Sequence, residues 1–234
     1  MDLKIKRNIL AIIPARAGSK RIQNKNKKLL FGKELVCYAI EAALASTELT
    51  SIAVSSDDDD ILYISSKYEG IVLLKRPAEI SGDNAPAITY VEHALEELGK
   101  GYDIVVIIQP TSPFTTAGDI DDTIHLLYID GVDSSVSVVK LDHAIHPVKL
   151  KVMKGNVLEP YYEPEKGRMA AHELPELYVR NGSVYASKIE TIARGNIIGD
   201  RCLGFVMPRE RSLDINDPID FEFAEFLMMK NQAK

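Results

Sequence analysis

Two short runs constrain the fold more than anything else in the chain. They are Asn8-Ile-Leu-Ala-Ile-Ile13 and Asp103-Ile-Val-Val-Ile-Ile108. Each carries an unbroken apolar stretch with no polar face. A strand with one wet face alternates apolar and polar residues; a strand covered on both faces does not. Such strands belong to parallel sheets with helices on either side. The intervening sequence supplies them. Apolar residues recur at helical spacing from Val36 to Ser46, from Pro86 to about Leu98 and from Ala117 to Tyr128. Ser51-Ile-Ala-Val-Ser55, Ile71 to Leu74 and Asp133 to Val139 read as further strands, and Asp57 with its neighbours as the cap of a helix reaching Tyr68. The alternation implies an α/β fold: an open, mostly parallel, doubly wound sheet.

The pattern breaks after Lys140. Residues 145 to 185 read as a hairpin and an extended loop containing Gly155, Pro160, Pro164, Gly167 and Pro175. We expect one domain over 1–234, with an insertion at about 141–177 projecting from the sheet as an oligomer arm or a lid. Near Tyr178 the α/β pattern resumes, with a strand at Gly204 to Met207 and a closing helix from Pro218.

Composition excludes several classes. At 46% hydrophobic residues, the chain can bury a full core. A net charge of −6 argues against a duplex nucleic acid partner. No apolar run approaches a membrane span. The two cysteines, Cys37 and Cys202, form neither a disulfide framework nor a metal-ligand spacing, which suggests a reducing cytoplasm. His143, His146 and His172 lack zinc spacing.

The chemistry concentrates in loops that follow strands. The first is Pro14-Ala-Arg-Ala-Gly-Ser-Lys-Arg-Ile-Gln-Asn-Lys-Asn26, just past the first strand. Open α/β sheets bind ligands at that end. Small residues let backbone N–H groups approach a ligand, and Arg16, Lys20, Arg21, Lys25, Lys27 and Lys28 supply positive charge. The loop suits a polyphosphate, though it is neither a Walker loop nor a dinucleotide fingerprint. Gln109, Thr111 and Ser112 stand directly beyond the most apolar strand, either as ligand contacts or as a polar turn stopped by two prolines. Asp214 and Asn216 alternate along an extended segment and face one side. Asp217 reads as the N-cap before Pro218, and Asp57 to Asp60 as a helix cap with a solvated face rather than a metal site.

Together these residues resemble the cytidylyltransferases that activate sialic acids. The likeness rests on Ile13-Pro-Ala-Arg-Ala-Gly-Ser-Lys20 with Lys25-Asn26, Lys75-Arg-Pro-Ala-Glu-Ile80, Ile108-Gln-Pro-Thr-Ser-Pro113, His146-Pro-Val-Lys149, Arg180-Asn-Gly-Ser-Val-Tyr185 and Met207-Pro-Arg-Glu-Arg-Ser-Leu-Asp-Ile-Asn216. The blocks run in the family's order along nearly the whole chain. The resemblance implies a nucleotide-diphospho-sugar transferase type of fold and CMP transfer from CTP to a nine-carbon 2-keto acid sugar. It implies a triphosphate site at Arg16 and Lys25, with Ala15, Ala17, Gly18 and Ser19 around it. Asn26, Arg76 and Ala85 would complete the nucleotide site. Gln109, Thr111, Ser112, Lys149 and Tyr185 would take the sugar, and Mg²⁺ would sit on Asp214 with Asn216. It also implies a homodimer whose arm reaches the partner's site.

The residues leave other readings open. Arg76 could be a surface arginine and Tyr185 a core tyrosine. Asn216 stands where the family has aspartate. Val179-Arg180 replaces its arginine–proline, and Ala170-Ala-His-Glu173, with Arg168 slightly earlier, lacks its arginine. Ile197 and Ile198 stand where aromatic residues line the family's acyl pocket. The Asn216 departure leaves a neutral metal ligand or one shifted to Asp217, whereas the others bear on the sugar rather than the nucleotide. The alternatives are the eight-carbon keto-acid sugar of lipopolysaccharide as acceptor, or a nucleotide-binding protein without catalysis.

Overall fold

The computed structural model describes residues 7–99, 101–161 and 174–232. Its centre is a seven-stranded sheet. In chain order the strands are β1 (Ile9–Pro14), β4 (Ser51–Ser56), β5 (Ile71–Lys75), β6 (Ile104–Ile108), β7 (Ser134–Lys140), β10 (Tyr178–Lys188) and β11 (Cys202–Val206). Two small ribbons stand apart from it: β2 (Leu29–Leu30) with β3 (Lys33–Glu34), and β8 (Lys151–Lys154) with β9 (Val157–Pro160). The spatial order is β11-β7-β10-β6-β1-β4-β5. Every pairing is parallel except those of β10, which runs antiparallel between β6 and β7. The sheet is thus mostly parallel, as the apolar runs imply.

The helices are α1 (Leu35–Leu44), α2 (Asp59–Ser65), α3 (Ala87–Leu98), α4 (Ala117–His125), α5 (Ile189–Ala193) and α6 (Pro218–Gln232). They cover both faces. Ile9, Ala11 and Ile13 of β1 point into one core with Val36 and Ile40 of α1, Ile61 of α2 and Ile120 and Ile124 of α4. Leu10 and Ile12 point into the opposite core with Tyr90, Val91 and Ala94 of α3. β6 divides in the same way, Val106 to one side and Val105 and Ile107 to the other. The period of two puts alternate residues in different cores, so an unbroken apolar run is what this position demands.

Two helix ends differ from expectation. α2 stops at Ser65 rather than Tyr68, and α4 gives way to a 3-10 turn at Leu126–Tyr128. The cap of α2 is Asp58, whose carboxylate accepts from the N–H groups of Asp60 and Ile61. Asp57 has another task, described below. Asp217 caps α6 as expected, its carboxylate accepting from Asp220 N at 3.1 Å. Among the described residues no helix is long and apolar enough to cross a membrane. The hairpin within the insertion is present as β8–β9, while Pro164, Gly167, Arg168 and 170–173 lie outside the described residues.

The segment between β11 and α6 is tied to α4 by an ion pair whose carboxylate is buried and whose guanidinium is partly exposed. Asp119 of α4 is 1% exposed and takes two bonds from Arg211, at 3.0 and 2.6 Å. Burial alone would raise its pKa, but the bonds from Arg211 and Thr116 outweigh burial and hold it low. Arg211→Leu leaves that carboxylate without its cation. Because Arg211 is partly exposed, we expect a loss of about 1–2 kcal/mol in urea unfolding at neutral pH. Because Asp119's folded pKa is depressed, its contribution is present above the ordinary aspartate range and lost as pH falls through the folded value. The difference between variant and wild type should therefore shrink in acid; a gap independent of pH would contradict this account.

Candidate active site

The loop after β1 is held in place by its own polar residues. Ala15 N donates to Ser55 O at 2.9 Å, continuing the β1–β4 ladder. Ala17 N then donates to the Asp57 carboxylate at 2.8 Å. Asn26 is buried and donates from Nδ2 to Arg16 O at 3.0 Å, folding the loop back on itself. Asn24 takes a left-handed conformation, φ 54°, before the turn Lys25–Lys27. Lys27 bonds Asp58 and Asp60 at the start of α2, and Lys28 lies over the Phe221 ring at 4.1 Å. These two cations are structural, which the run of basic residues alone does not reveal.

Arg16 and Lys25 face a cavity of about 250 Å³. Ser19, Asn26, Arg76, Ala85, Gln109 and Thr111 also line it, so the structure brings the N-terminal loop together with the ends of β5 and β6. Arg76 is no surface residue: it is 4% exposed. It donates to the Ser55 hydroxyl at 3.0 Å and to Ser55 O at 2.9 Å, and stacks on the Tyr90 ring at 4.7 Å. Among the described residues no carboxylate pairs with it. Burial lowers its pKa, partly offset by Tyr90 and Asp57, and a buried guanidinium without a direct ion-pair partner among the described residues suits an anionic or acceptor-rich ligand. The Oδ1 atom of Asn26 is buried and has no partner among the described residues, so an acceptor stands ready beside these donors.

Asp214 reaches the site through its neighbour. Ile215 is fully buried with Leu30, Leu35 and Phe221. Its N–H donates to Thr111 O at 2.8 Å, and its carbonyl accepts from Lys25 Nζ at 2.8 Å. Asp214 lies against Gly182 of β10. A Cβ on that glycine would stand 3.1 Å from Asp214 Oδ2, and its φ of 76° is one that side chains disfavour. Asn181 secures the bulge, accepting from the Ser137 hydroxyl at 2.7 Å and donating to Ser212 at 3.0 Å. Asp214 Oδ2 accepts from Asn216 Nδ2 at 2.8 Å, while Oδ1 is buried and has no partner among the described residues. A buried, unpaired carboxylate oxygen suits a hard cation. Asn216 acts as hydrogen-bond donor to Asp214, and its own oxygen accepts from Arg21 at 3.4 Å.

The remaining sequence-derived residues are more scattered. Ala17 and Gly18 line a neighbouring outer cavity of about 330 Å³. Ala15 is buried. Ser112, 1% exposed, does not line the cavity, and its hydroxyl has no partner among the described residues. Tyr185 packs against the α3-side core and does not line the cavity; burial raises its pKa. Lys149, in the turn before β8, bonds His143 at 3.0 Å rather than lining the cavity. Ile197 packs against the α3-side core. The sequence marks neither Ser55 nor Tyr90 as a site residue, reads Asp57 only as a helix cap, and gives Asn181 no role of its own. Their positions at the end of β4 and just beyond it, on the α3 core face and in the β10 bulge become meaningful only when the strands are assembled.

Comparison with known proteins agrees with this geometry. Residues 10–193 match the family model described as cytidylyltransferase. The chain is 30% identical to the N-acylneuraminate cytidylyltransferase of Escherichia coli O18:K1:H7, covering 97% of this chain and 53% of that protein. It is 32% identical to the CMP-N,N'-diacetyllegionaminic acid synthase of Legionella pneumophila, covering 96% of this chain and 97% of that protein. The chain thus spans about half the length of the first relative and nearly all of the second. In fold it is similar to a CMP:2-keto-3-deoxy-manno-octonic acid synthetase solved with CTP, with a TM-score of 0.70 at 15% identity over 96% of this chain and 99% of that one. The chain belongs to the cytidylyltransferase family, in the group that includes the enzymes for acylneuraminate and legionaminic acid.

Lys25 gives this site a pH signature. Burial lowers its pKa, only partly offset by Asp214. Its charge is therefore lost at lower pH than that of an ordinary lysine. The kcat/KM for nucleotide should fall on the alkaline side within that lowered range. Lys25→Arg, which stays protonated, should move the limb upward. A limb unchanged in the arginine variant would remove Lys25 from the cradle.

Proposed function

We propose that this chain transfers CMP from CTP to the anomeric hydroxyl of an acidic nine-carbon sugar, a nonulosonic acid, releasing pyrophosphate. The observation that carries the reading is the convergence of Arg16, Lys25, Asn26 and Arg76 on one cavity beyond β1, with Asp214 joined to it through Ile215. Arg16 and Lys25 hold the β- and γ-phosphates, and the Ala17–Ser19 backbone supports them. Arg76 and Asn26 present donors and an acceptor to the base and ribose. Gln109 and Thr111, on the same cavity wall, orient the sugar toward the α-phosphorus, with Tyr185 and Lys149 as more distant candidates.

In the reaction the sugar hydroxyl oxygen bonds to the α-phosphorus and the bond from that phosphorus to the bridging oxygen of the β-phosphate breaks. Pyrophosphate leaves with that electron pair, and the hydroxyl proton passes to solvent. Positioning and charge neutralisation supply most of the acceleration in such transfers. Arg16 and Lys25 neutralise the charge that grows on the leaving group.

The buried free oxygen of Asp214 fits Mg²⁺. Asp214 would be its protein ligand, with Asn216 orienting that carboxylate rather than binding metal in its observed pose. When bound, such an ion polarises phosphate oxygens and acidifies a coordinated hydroxyl. The free thiols Cys37 and Cys202 accord with work in the cytoplasm. The fold likeness to the octonic acid enzyme speaks for architecture alone, whereas the relatives at 30% identity and above are named for acylneuraminate and legionaminic acid.

With CTP, Mg²⁺ and a panel of nonulosonic acids, at least one acid should trigger pyrophosphate release, and Asp214→Asn should abolish it. Release with none of the panel would sink this reading. The β8–β9 hairpin exposes Met153, Val157, Leu158 and Tyr161, apolar area that a second copy would cover as a homodimer. Sedimentation should show a dimer at assay concentrations; a fully active monomer would refute that.

A further inference from the structure

The cations of the cradle are already engaged. Asp83, in the segment between β5 and α3, pairs with Arg16 at 2.6 Å and also with Lys20. Both partners come from the loop after β1. Asp83 itself is one-third exposed, whereas the carboxylate of the Asp119–Arg211 pair is buried.

Its location is distinctive. Arg16, Ser19, Gly82 and Asp83 line both the inner cavity and the outer one. Asn26, Arg76 and Gln109 face only the inner cavity, whereas Lys20, Gln23 and Asn24 face only the outer. The Arg16–Asp83 pair therefore stands at the partition between the two. A triphosphate reaching Arg16 from the inner cavity meets a carboxylate already bound there. The two anions repel and compete for those donors, so binding of one disfavours the other.

We propose that Asp83 is a displaceable counter-anion for the phosphate cradle: it holds Arg16 and Lys20 when no phosphate is bound, yields them to the incoming triphosphate, and returns as pyrophosphate departs through the outer cavity. The inference rests on the cytidylyltransferase reading of this site. It makes Asp83 a positioning residue that sets the affinity for the leaving group. Exposed ion pairs are weak, so the exchange is easily reversed.

A purely structural role predicts the opposite sign. If Asp83 only props Arg16, its removal loosens the cradle and weakens phosphate binding. If it competes with phosphate, removal strengthens binding. The test is titration of the intact protein with pyrophosphate and with Mg²⁺–CTP, for wild type, Asp83→Asn, Asp83→Ala and Asp83→Glu. Thermal melts would confirm that each variant is folded.

Asp83→Asn and Asp83→Ala should bind pyrophosphate roughly three- to tenfold tighter than wild type, the range two exposed ion pairs support. Product inhibition by pyrophosphate should strengthen in parallel. Asp83→Glu should stay close to wild type. Unchanged or weaker pyrophosphate binding in folded Asp83→Asn and Asp83→Ala overturns the proposal while leaving the site reading intact. Wild type that binds neither pyrophosphate nor Mg²⁺–CTP overturns the site reading itself, and the proposal with it.

Discussion

The site depends on one residue that does no chemistry. Ile215 is buried among Leu30, Leu35 and Phe221, and its backbone joins three distant parts of the chain. Its N–H meets the loop after β6 and its carbonyl meets Lys25 from the loop after β1. Its neighbours Asp214 and Asn216 are thereby carried to the same place. A buried backbone group must find a partner, and Ile215 finds both of its partners in the loops that bear the site. The apolar side chain supplies the driving force and the peptide groups supply the geometry.

The antiparallel strand β10 supplies the other half of that geometry. Inserted between β6 and β7, it brings the Asn181–Gly182 bulge next to Asp214. Asn181 is fully engaged by Ser137, Ser183 and Ser212, so the bulge is firm. A bulge re-aims the chain and leaves room for a foreign side chain, here a carboxylate with one free oxygen. The serines of β7 are explained in the same way: Ser135 bonds Thr123 O and Ser137 bonds Asn181, so buried hydroxyls in a strand are satisfied.

Electrostatically the site is a balance rather than a simple basic patch. Of the loop cations, Lys27 is consumed by the α2 cap, Lys28 lies over Phe221, and Arg16 and Lys20 share Asp83. Lys25 lies within the field of Asp214, and Arg76 is sustained by Ser55 and the Tyr90 ring. A chain of net negative charge thus gathers several cations around one cavity, with most of them already engaged by other groups.

Much of this was legible in the sequence, for reasons that are local. Apolar runs at Ile9–Ile13 and Ile104–Ile108 can satisfy two covered faces in only one kind of sheet. The placement of Arg16 and Lys25 followed because loops after parallel strands emerge at one edge. The Asp217 cap was readable since Asp before Pro at a helix start has one cheap solution. The tertiary structure alone decided which cations serve the cavity, that Asp57 fastens Ala17 rather than capping α2, that Arg76 is buried on Tyr90, and that Asn216 restrains Asp214. Each of these turns on contacts between residues far apart in the chain. Helical spacing and strand alternation say which face a side chain takes; only the packed fold says what it meets there.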